Sequence, residues 1–365
     1  MQGHFECVKC GKKYRESENV LTCIHGKYYD YLEYRPARRA VMNPPIMGEG
    51  STPLIRLKNM GVKYGLQNLY AKDEGKNPTG SFKDRESALL VGKALQMGLR
   101  EVFCISSGNA GASLSAYANV AGLECTCYIP KGASRSKKAI IRLFGGRITE
   151  MDGSYEEIYR KVIDSVPGGW NCTLNPYRSE ADKQIAYEIF QKIGIPDKII
   201  VPCGNGTNIA GIWKGFTEIA DSGKWQKLPM MIGVQVNGAA PLKAALDNGK
   251  EFEILAKIPE SVAEGIIASE SYSSPKAVRA IKDSGGSVIE VSENEIKQAL
   301  KECLKYESLL MEPTSAAAFA AVPKVGILAK DKIVVIITAS GAKSLEAVSE
   351  ITGFLRNTDK IKNPA

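Results

Sequence analysis

Lys83 stands in the stretch NPTGSFKDRES, residues 77–87, directly after the pair Gly80-Ser81. It precedes RESALLVGKALQMG, which reads as a helix with apolar residues on one face. A lysine amine can form a Schiff base with a carbonyl carbon, and burial lowers its pKa so that it can also pass protons. Among 48 Lys and Arg, however, a lysine on a turn is usually a solvated charge. What else the chain could bring to Lys83 decides between the two readings.

Three Gly-, Ser-, Thr- or Asn-rich junctions offer such groups. CISSGNAGASLSAYA leaves a strand ending near Ile105, IIVPCGNGTNIAGIWKGF one ending near Cys203, and VVIITASGAKSLEAV one ending near Thr338. Glycine lets a backbone turn tightly and bring its N–H groups to a ligand, while the following helix adds unpaired N–H groups and a positive dipole end. GNGTN, residues 204–208, can therefore cup a phosphate, and a plain strand-to-helix turn would look the same. It is not a dinucleotide fingerprint, because Ile209 occupies the place of the third glycine. SSGN, residues 106–109, can hold a carboxylate or a phenolate oxygen; taken alone it reads first as an N-cap with a glycine turn.

The elements that must position these loops are those of an α/β protein. EVFCIS, CTCYIP, RITEMD, KIIVPCG, MIGVQV, SVIEVS and KIVVIITAS are short β-branched runs with helix-like stretches between them, the pattern of parallel sheets covered on both faces. In such sheets ligands gather at the carboxyl ends of the strands. A chain of 365 residues, 44% hydrophobic, exceeds one compact core and implies two lobes plus a small appendage. No apolar run reaches about 18 residues, and the N-terminus MQGHFECVKCGKKY lacks the apolar centre of a secretory signal. Nine irregularly spaced cysteines suit a reducing compartment, so a soluble, cytoplasmic protein is expected. Having only His4 and His25 excludes a multi-histidine metal centre and leaves little for a Ser-His-Asp triad. The net charge of +8 is scattered among 40 acids and forms no stripe, so nucleic acid is not expected; anionic small substrates suit the excess.

Taken together, NPTGSFKDR, SSGN, GNGTN and TASG, in that order, resemble the fold-type II pyridoxal-phosphate enzymes (tryptophan synthase β-like), and the threonine synthase and cysteate synthase branch in particular. GSFKDRE (80–86), NPYRSEADK (175–183), GNGTN (204–208) and EPTSAA (312–317) stand where that branch has its motifs, so the resemblance covers nearly the whole chain. It implies that Lys83 carries the Schiff base to pyridoxal 5'-phosphate and moves protons once freed. Asn109 would bond the cofactor's phenolate oxygen, and Gly204, Asn205, Gly206, Thr207 and Asn208 its phosphate. Thr338 would face the pyridine nitrogen with a neutral hydroxyl, which favours elimination and replacement over transamination. Ser106, Ser107, Gly108 and Ala110 would cradle the substrate carboxylate, and Asn175, Arg178 and Lys183 a substrate phosphate. The implied layout is a large domain from residues 31–82 with 188–365, a small mobile domain from 83–187, and a homodimer.

At the N-terminus, Cys7-x-x-Cys10 is followed after twelve residues by Cys23-x-His25, enough for a tetrahedral structural zinc site in a zinc-ribbon-like segment over residues 1–30. Relatives in the branch carry a cysteine where His25 stands, and a vestigial ribbon whose cysteines only pack is the competing reading.

The chain departs from the branch around the substrate. Glu86 replaces a glycine, TASG lacks a histidine, Cys172-Thr173 replaces an asparagine-serine pair, and AEGIIASES (263–271) lacks an arginine. The substrate expected from the resemblance is a phosphorylated amino acid. O-phosphohomoserine and water would give threonine and phosphate; O-phosphoserine with sulfite or sulfide would give cysteate or cysteine. A reading of another class is a zinc-ribbon binding or sensor protein without turnover.

Overall fold

The computed structural model describes residues 3–16, 20–36, 47–165, 170–224 and 227–353. Its strands, in chain order, are β1 (His4–Cys7), β2 (Lys13–Arg15), β3 (Leu32–Arg35), β4 (Leu54–Arg56), β5 (Asn68–Asp73), β6 (Glu101–Ile105), β7 (Glu124–Pro130), β8 (Arg147–Met151), β9 (Trp170–Asn171), β10 (Lys198–Pro202), β11 (Met230–Val236), β12 (Ser287–Val291) and β13 (Lys332–Ile337).

They form three sheets. The largest has the order β12-β11-β10-β13-β5-β4 and is parallel except for β4, which runs antiparallel along β5 at the edge. Its central strands KIIVP and KIVVII are buried along nearly their whole length, as continuous β-branched runs must be when helices cover both faces. On one face lies helix Pro313–Ala321, PTSAAAFAA, whose every residue is buried; its alanines let it seat closely on the sheet. On the other face helix Thr207–Ile219 packs Ile209, Ile212 and Phe216 into a second core with Ile199, Val201 and Val334. The smaller sheet, β8-β7-β6-β9, is parallel throughout. The α/β class with two mostly parallel sheets is thus observed, and each strand-like run of the sequence lies on a strand.

The third sheet, β2-β1-β3, is antiparallel. β3 extends it to Arg35, past residue 30 where the N-terminal segment was expected to end. It does not stand apart, because a segment of about 35 residues buries too little surface to be stable alone. Phe5, Tyr14, Tyr31, Leu32 and Tyr34 share one core with Leu89, Leu90, Trp170 and Tyr177 of the smaller lobe. The Phe5 and Tyr34 rings lie 5.1 and 4.9 Å from that of Tyr177.

Candidate active site

Gly80 has φ +84°, a left-handed conformation that glycine takes without strain, and it turns the chain so that Ser81 bridges to Ala339 beyond β13. The Phe82 N–H donates to the Thr338 carbonyl at 3.0 Å, and the Ser340 N–H to the Gly80 carbonyl at 2.9 Å. Helix Lys83–Gln96 therefore starts at the carboxyl end of β13, which brings the GSFKDR and TASG motifs together. Asp84 fixes the start of that helix: its carboxylate accepts from the Thr79 N–H at 2.6 Å and the Ser113 hydroxyl at 2.6 Å.

Lys83 is not a solvated charge; its side chain is 15% exposed. Nζ donates to Glu86 Oε1 at 2.8 Å and lies 4.1 Å from the centre of the Phe82 ring. Arg178 Nε donates to the other oxygen of Glu86 at 2.8 Å, and Arg178 Nη1 donates to the Thr173 carbonyl. Burial, helped by the Arg178 guanidinium, pulls the Lys83 amine below its ordinary pKa against the pull of Glu86. Burial works to raise the Glu86 carboxyl, but Arg178 and Lys83 outweigh it and hold the group ionised. Asp182, also buried, meets no donor among the described residues; burial and then the neighbouring Glu86 push its carboxyl far upward.

The SSGN loop reaches the same junction through Glu312, whose N–H donates to the Ala339 carbonyl at 3.2 Å. Asn109 is the first residue of helix Asn109–Val120, reached from β6 through residues 106–108, and its Nδ2 donates to Glu312 Oε2 at 3.0 Å, joining the smaller lobe to the larger. Ser106, Ser107, Gly108 and Ala110 are each half-buried. The Gly108 N–H donates to Ser106 Oγ at 3.2 Å. Thr338 Oγ1 lies 2.9 Å from Ser315 Oγ, which also accepts the Thr338 N–H at 3.0 Å.

Residues 204–208 form the turn between β10 and helix Thr207–Ile219. Gly206, at φ +84°, has no room for a side chain, since a Cβ would stand 2.7 Å from that of Ala277. The Asn205 carbonyl accepts the Ser273 N–H at 2.9 Å, and Thr207 Oγ1 lies 3.0 Å from Ser273 Oγ. Both polar atoms of the Asn208 amide, Asn205 Oδ1 and Ser81 Oγ are buried without a hydrogen-bond partner among the described residues. Buried polar groups are rarely left so, and a bound phosphate would offer acceptors to the donors among them, Asn208 Nδ2 and Ser81 Oγ. The residues present fit pyridoxal phosphate.

The three residues expected to hold a substrate phosphate are already committed. Asn175 Nδ2 donates to the Asn171 carbonyl at 2.9 Å and its Oδ1 accepts the Tyr177 N–H at 3.1 Å. Arg178 is spent on Glu86 and Thr173, and Lys183 pairs with Glu180 at 2.5 Å and Glu218 at 2.9 Å. Neither Arg178 nor Lys183 is a free cation, because buried charge of this kind is tolerated only when paired. Sequence reasoning missed Asp182, Glu312 and Ser315. The spacing of Lys83 with Glu86, and of Arg178 with Asp182, on consecutive helical turns was the available signal for the cluster.

At the N-terminus Cys7, Cys10 and Cys23 bring their sulfurs within 4.8 Å of one another, with Cys10 and Cys23 4.0 Å apart. Tetrahedral zinc with bonds of about 2.3 Å sets its sulfurs about 3.8 Å apart, so the three thiols fit. His25 is not in the group: its side chain is exposed, and its ring lies against Tyr31. The structure thus brings three of the four expected ligands together.

The pyridoxal-phosphate dependent enzyme family model matches residues 46–339. The chain is 35% identical to the threonine synthase of Methanocaldococcus jannaschii, over 93% of each chain. It is 32% identical to that of Methanosarcina acetivorans, over 92% of this chain and 90% of that one. Among solved structures, maize serine racemase superposes with a TM-score of 0.71 at 20% identity, covering 84% of this chain and 93% of that one. The processed form of threonine deaminase isoform 2 from Solanum lycopersicum gives 0.69 at 20% identity, covering 83% of each.

Proposed function

The chain belongs to the pyridoxal-phosphate dependent enzymes, and from that premise we propose that it catalyses the threonine synthase reaction, converting O-phosphohomoserine and water to threonine and phosphate. The observation that carries the reading is the buried Lys83 amine at the carboxyl end of β13, held beside Thr338 by the Phe82 hydrogen bond. Threonine synthases that match over nine-tenths of the chain support the choice of reaction.

Lys83, Asn109, residues 204–208 and Thr338 would hold the cofactor, which when bound supplies an electron sink for the bonds at the substrate's α-carbon. The backbone N–H groups at Ser106, Ser107, Gly108 and Ala110, at the start of helix Asn109–Val120, would hold the substrate carboxylate. The Lys83 amine, pulled below its ordinary pKa by burial, would take the α-proton at Nζ. Glu86, 2.8 Å away, would stand as counter-ion to the ammonium so formed. Thr338 offers a hydroxyl and no charge. With Arg178 and Lys183 already paired, a substrate phosphate would have to draw Arg178 away from Glu86 rather than find a free cation. The resemblance also carries the expectation of a homodimer in the cytoplasm; no helix among the described residues is long and apolar enough to cross a membrane.

The test is phosphate release by the cofactor-loaded protein from O-phosphohomoserine and from O-phosphoserine, each with water, sulfite or sulfide. Threonine made from O-phosphohomoserine alone is expected. Cysteate made only with sulfite and O-phosphoserine would replace this reading with the alternative.

A further inference from the structure

Two carboxyl groups and two cations meet in one buried cluster beside the candidate active site, and they are not equivalent. Glu86 accepts from Lys83 Nζ at 2.8 Å, from Arg178 Nε at 2.8 Å and more loosely from Arg178 Nη2 at 3.5 Å. Asp182, one helical turn beyond Arg178, accepts from no N–H or O–H group among the described residues. A buried carboxylate with no donor is among the most costly states a side chain can take, whereas a protonated carboxyl needs only one acceptor for its O–H. Glu86 is the ionised neighbour that can provide it.

We propose that Glu86 and Asp182 share a single proton, carried by Asp182, and that this pair makes Glu86 the positioning residue that sets the proton affinity of the Lys83 amine. Two neighbouring buried carboxyls cannot both ionise cheaply, and the donors decide which one keeps the charge. The remaining groups that face the cluster do not alter the count. Tyr155, from helix Tyr155–Ser165, has its hydroxyl pushed up to about 12 by burial. Burial likewise pushes up the thiol of Cys172, which follows β9. Both stay neutral at ordinary pH. The Phe82 ring and the Thr173 carbonyl complete the enclosure without a charge. One negative charge thus serves two cations, and any change at Glu86 is felt by Lys83 directly.

The inference rests on the proposal that Lys83 is the amine that takes up pyridoxal phosphate. It is tested by stripping the full chain of cofactor and following the rate of pyridoxal phosphate capture by visible absorbance between about pH 6 and about pH 10. Capture needs the neutral amine, so the midpoint of the profile reports its proton affinity. Borohydride trapping and peptide mass spectrometry locate the adduct. E86Q should move the midpoint down by about one pH unit, a tenfold loss of proton affinity. E86D should stay close to wild type, and so should D182N, whose amide can still donate to Glu86. An unmoved E86Q profile, or a D182N shift as large as that of E86Q, would overturn the proposal. An adduct on another lysine would instead remove the role of Lys83 on which it rests. Should E86Q not fold, infrared difference spectra of wild type and D182N decide: a protonated carboxyl band at neutral pH that D182N lacks is expected, and identical spectra would contradict it.

Discussion

The Phe82 N–H donates to the carbonyl oxygen of Thr338 at 3.0 Å. That bond joins the first helix of the smaller lobe to the end of β13 in the larger, so Lys83, the next residue, and Thr338 are fixed relative to each other by backbone rather than by flexible side chains. Ser81, bridged to Ala339, and Gly80, bonded to Ser340, continue the tie along the two segments. A reactive amine is held best on rigid elements, and here strand and helix supply both.

Gly206 carries a steric prediction. At φ +84°, with a Cβ only 2.7 Å from that of Ala277, Gly206→Ala should cost on the order of 1–3 kcal/mol of stability. It should also open the turn at residues 204–208 and weaken pyridoxal phosphate binding by about tenfold or more, some 1.4 kcal/mol. Denaturant unfolding and cofactor titration measure the two effects; an unchanged Kd would show that the turn does not hold the cofactor.

Glu188 carries a pH prediction. It accepts from Arg85 Nη1 at 2.7 Å, Lys72 Nζ at 2.5 Å and the Ser51 N–H at 2.9 Å. Burial opposes the charge, but Arg85 and Lys72 lower the carboxyl from 4.5 to about 2. The folded pKa lies below the unfolded one, so this stability is present above the ordinary carboxylate range and is lost as pH falls toward about 2. It amounts to something on the order of 3 kcal/mol. Glu188→Gln should lower the urea midpoint at neutral pH and flatten its fall between about pH 5 and about pH 3. Wild-type and variant curves that stay parallel over that window would contradict the assignment.

The cysteine group makes a metal prediction. We propose that Cys7, Cys10 and Cys23 hold a structural zinc, and Cys7→Ser should then lower the zinc content of the purified protein while His25→Ala leaves it unchanged. Elemental analysis after dialysis decides. Equal loss in both variants would restore His25 to the ligand set, and no metal in wild type would leave the cysteines as packing groups.

What could be read in the sequence was what depends on local pattern. KIIVP and KIVVII announce buried parallel strands by their β-branched runs, and Ile105, Pro202 and Ile337 end theirs at or within a residue of the expected places. The glycine turns after them mark the strand ends where a cofactor would lie. β9, only Trp170 and Asn171, is too short for any periodicity to reveal. Pairings between distant residues were equally hidden. Glu86 stood out as a departure from the branch, but that it neutralises Arg178 depends on how helices Lys83–Gln96 and Tyr177–Asp182 pack. Lys183 looked like a phosphate ligand because of its motif, while Glu218, which claims it, lies on a different helix. His25 has the spacing of a ligand, yet its side chain is exposed, away from the three sulfurs.

The most direct test of the account is the paired assay of wild type and Lys83→Ala, both incubated with pyridoxal phosphate and then given O-phosphohomoserine. Wild type should be coloured, lose its colour with borohydride, and release threonine and phosphate in equal amounts; Lys83→Ala should be colourless and form neither product. Threonine formation by Lys83→Ala, or a wild-type protein that binds the cofactor through another lysine, would contradict it.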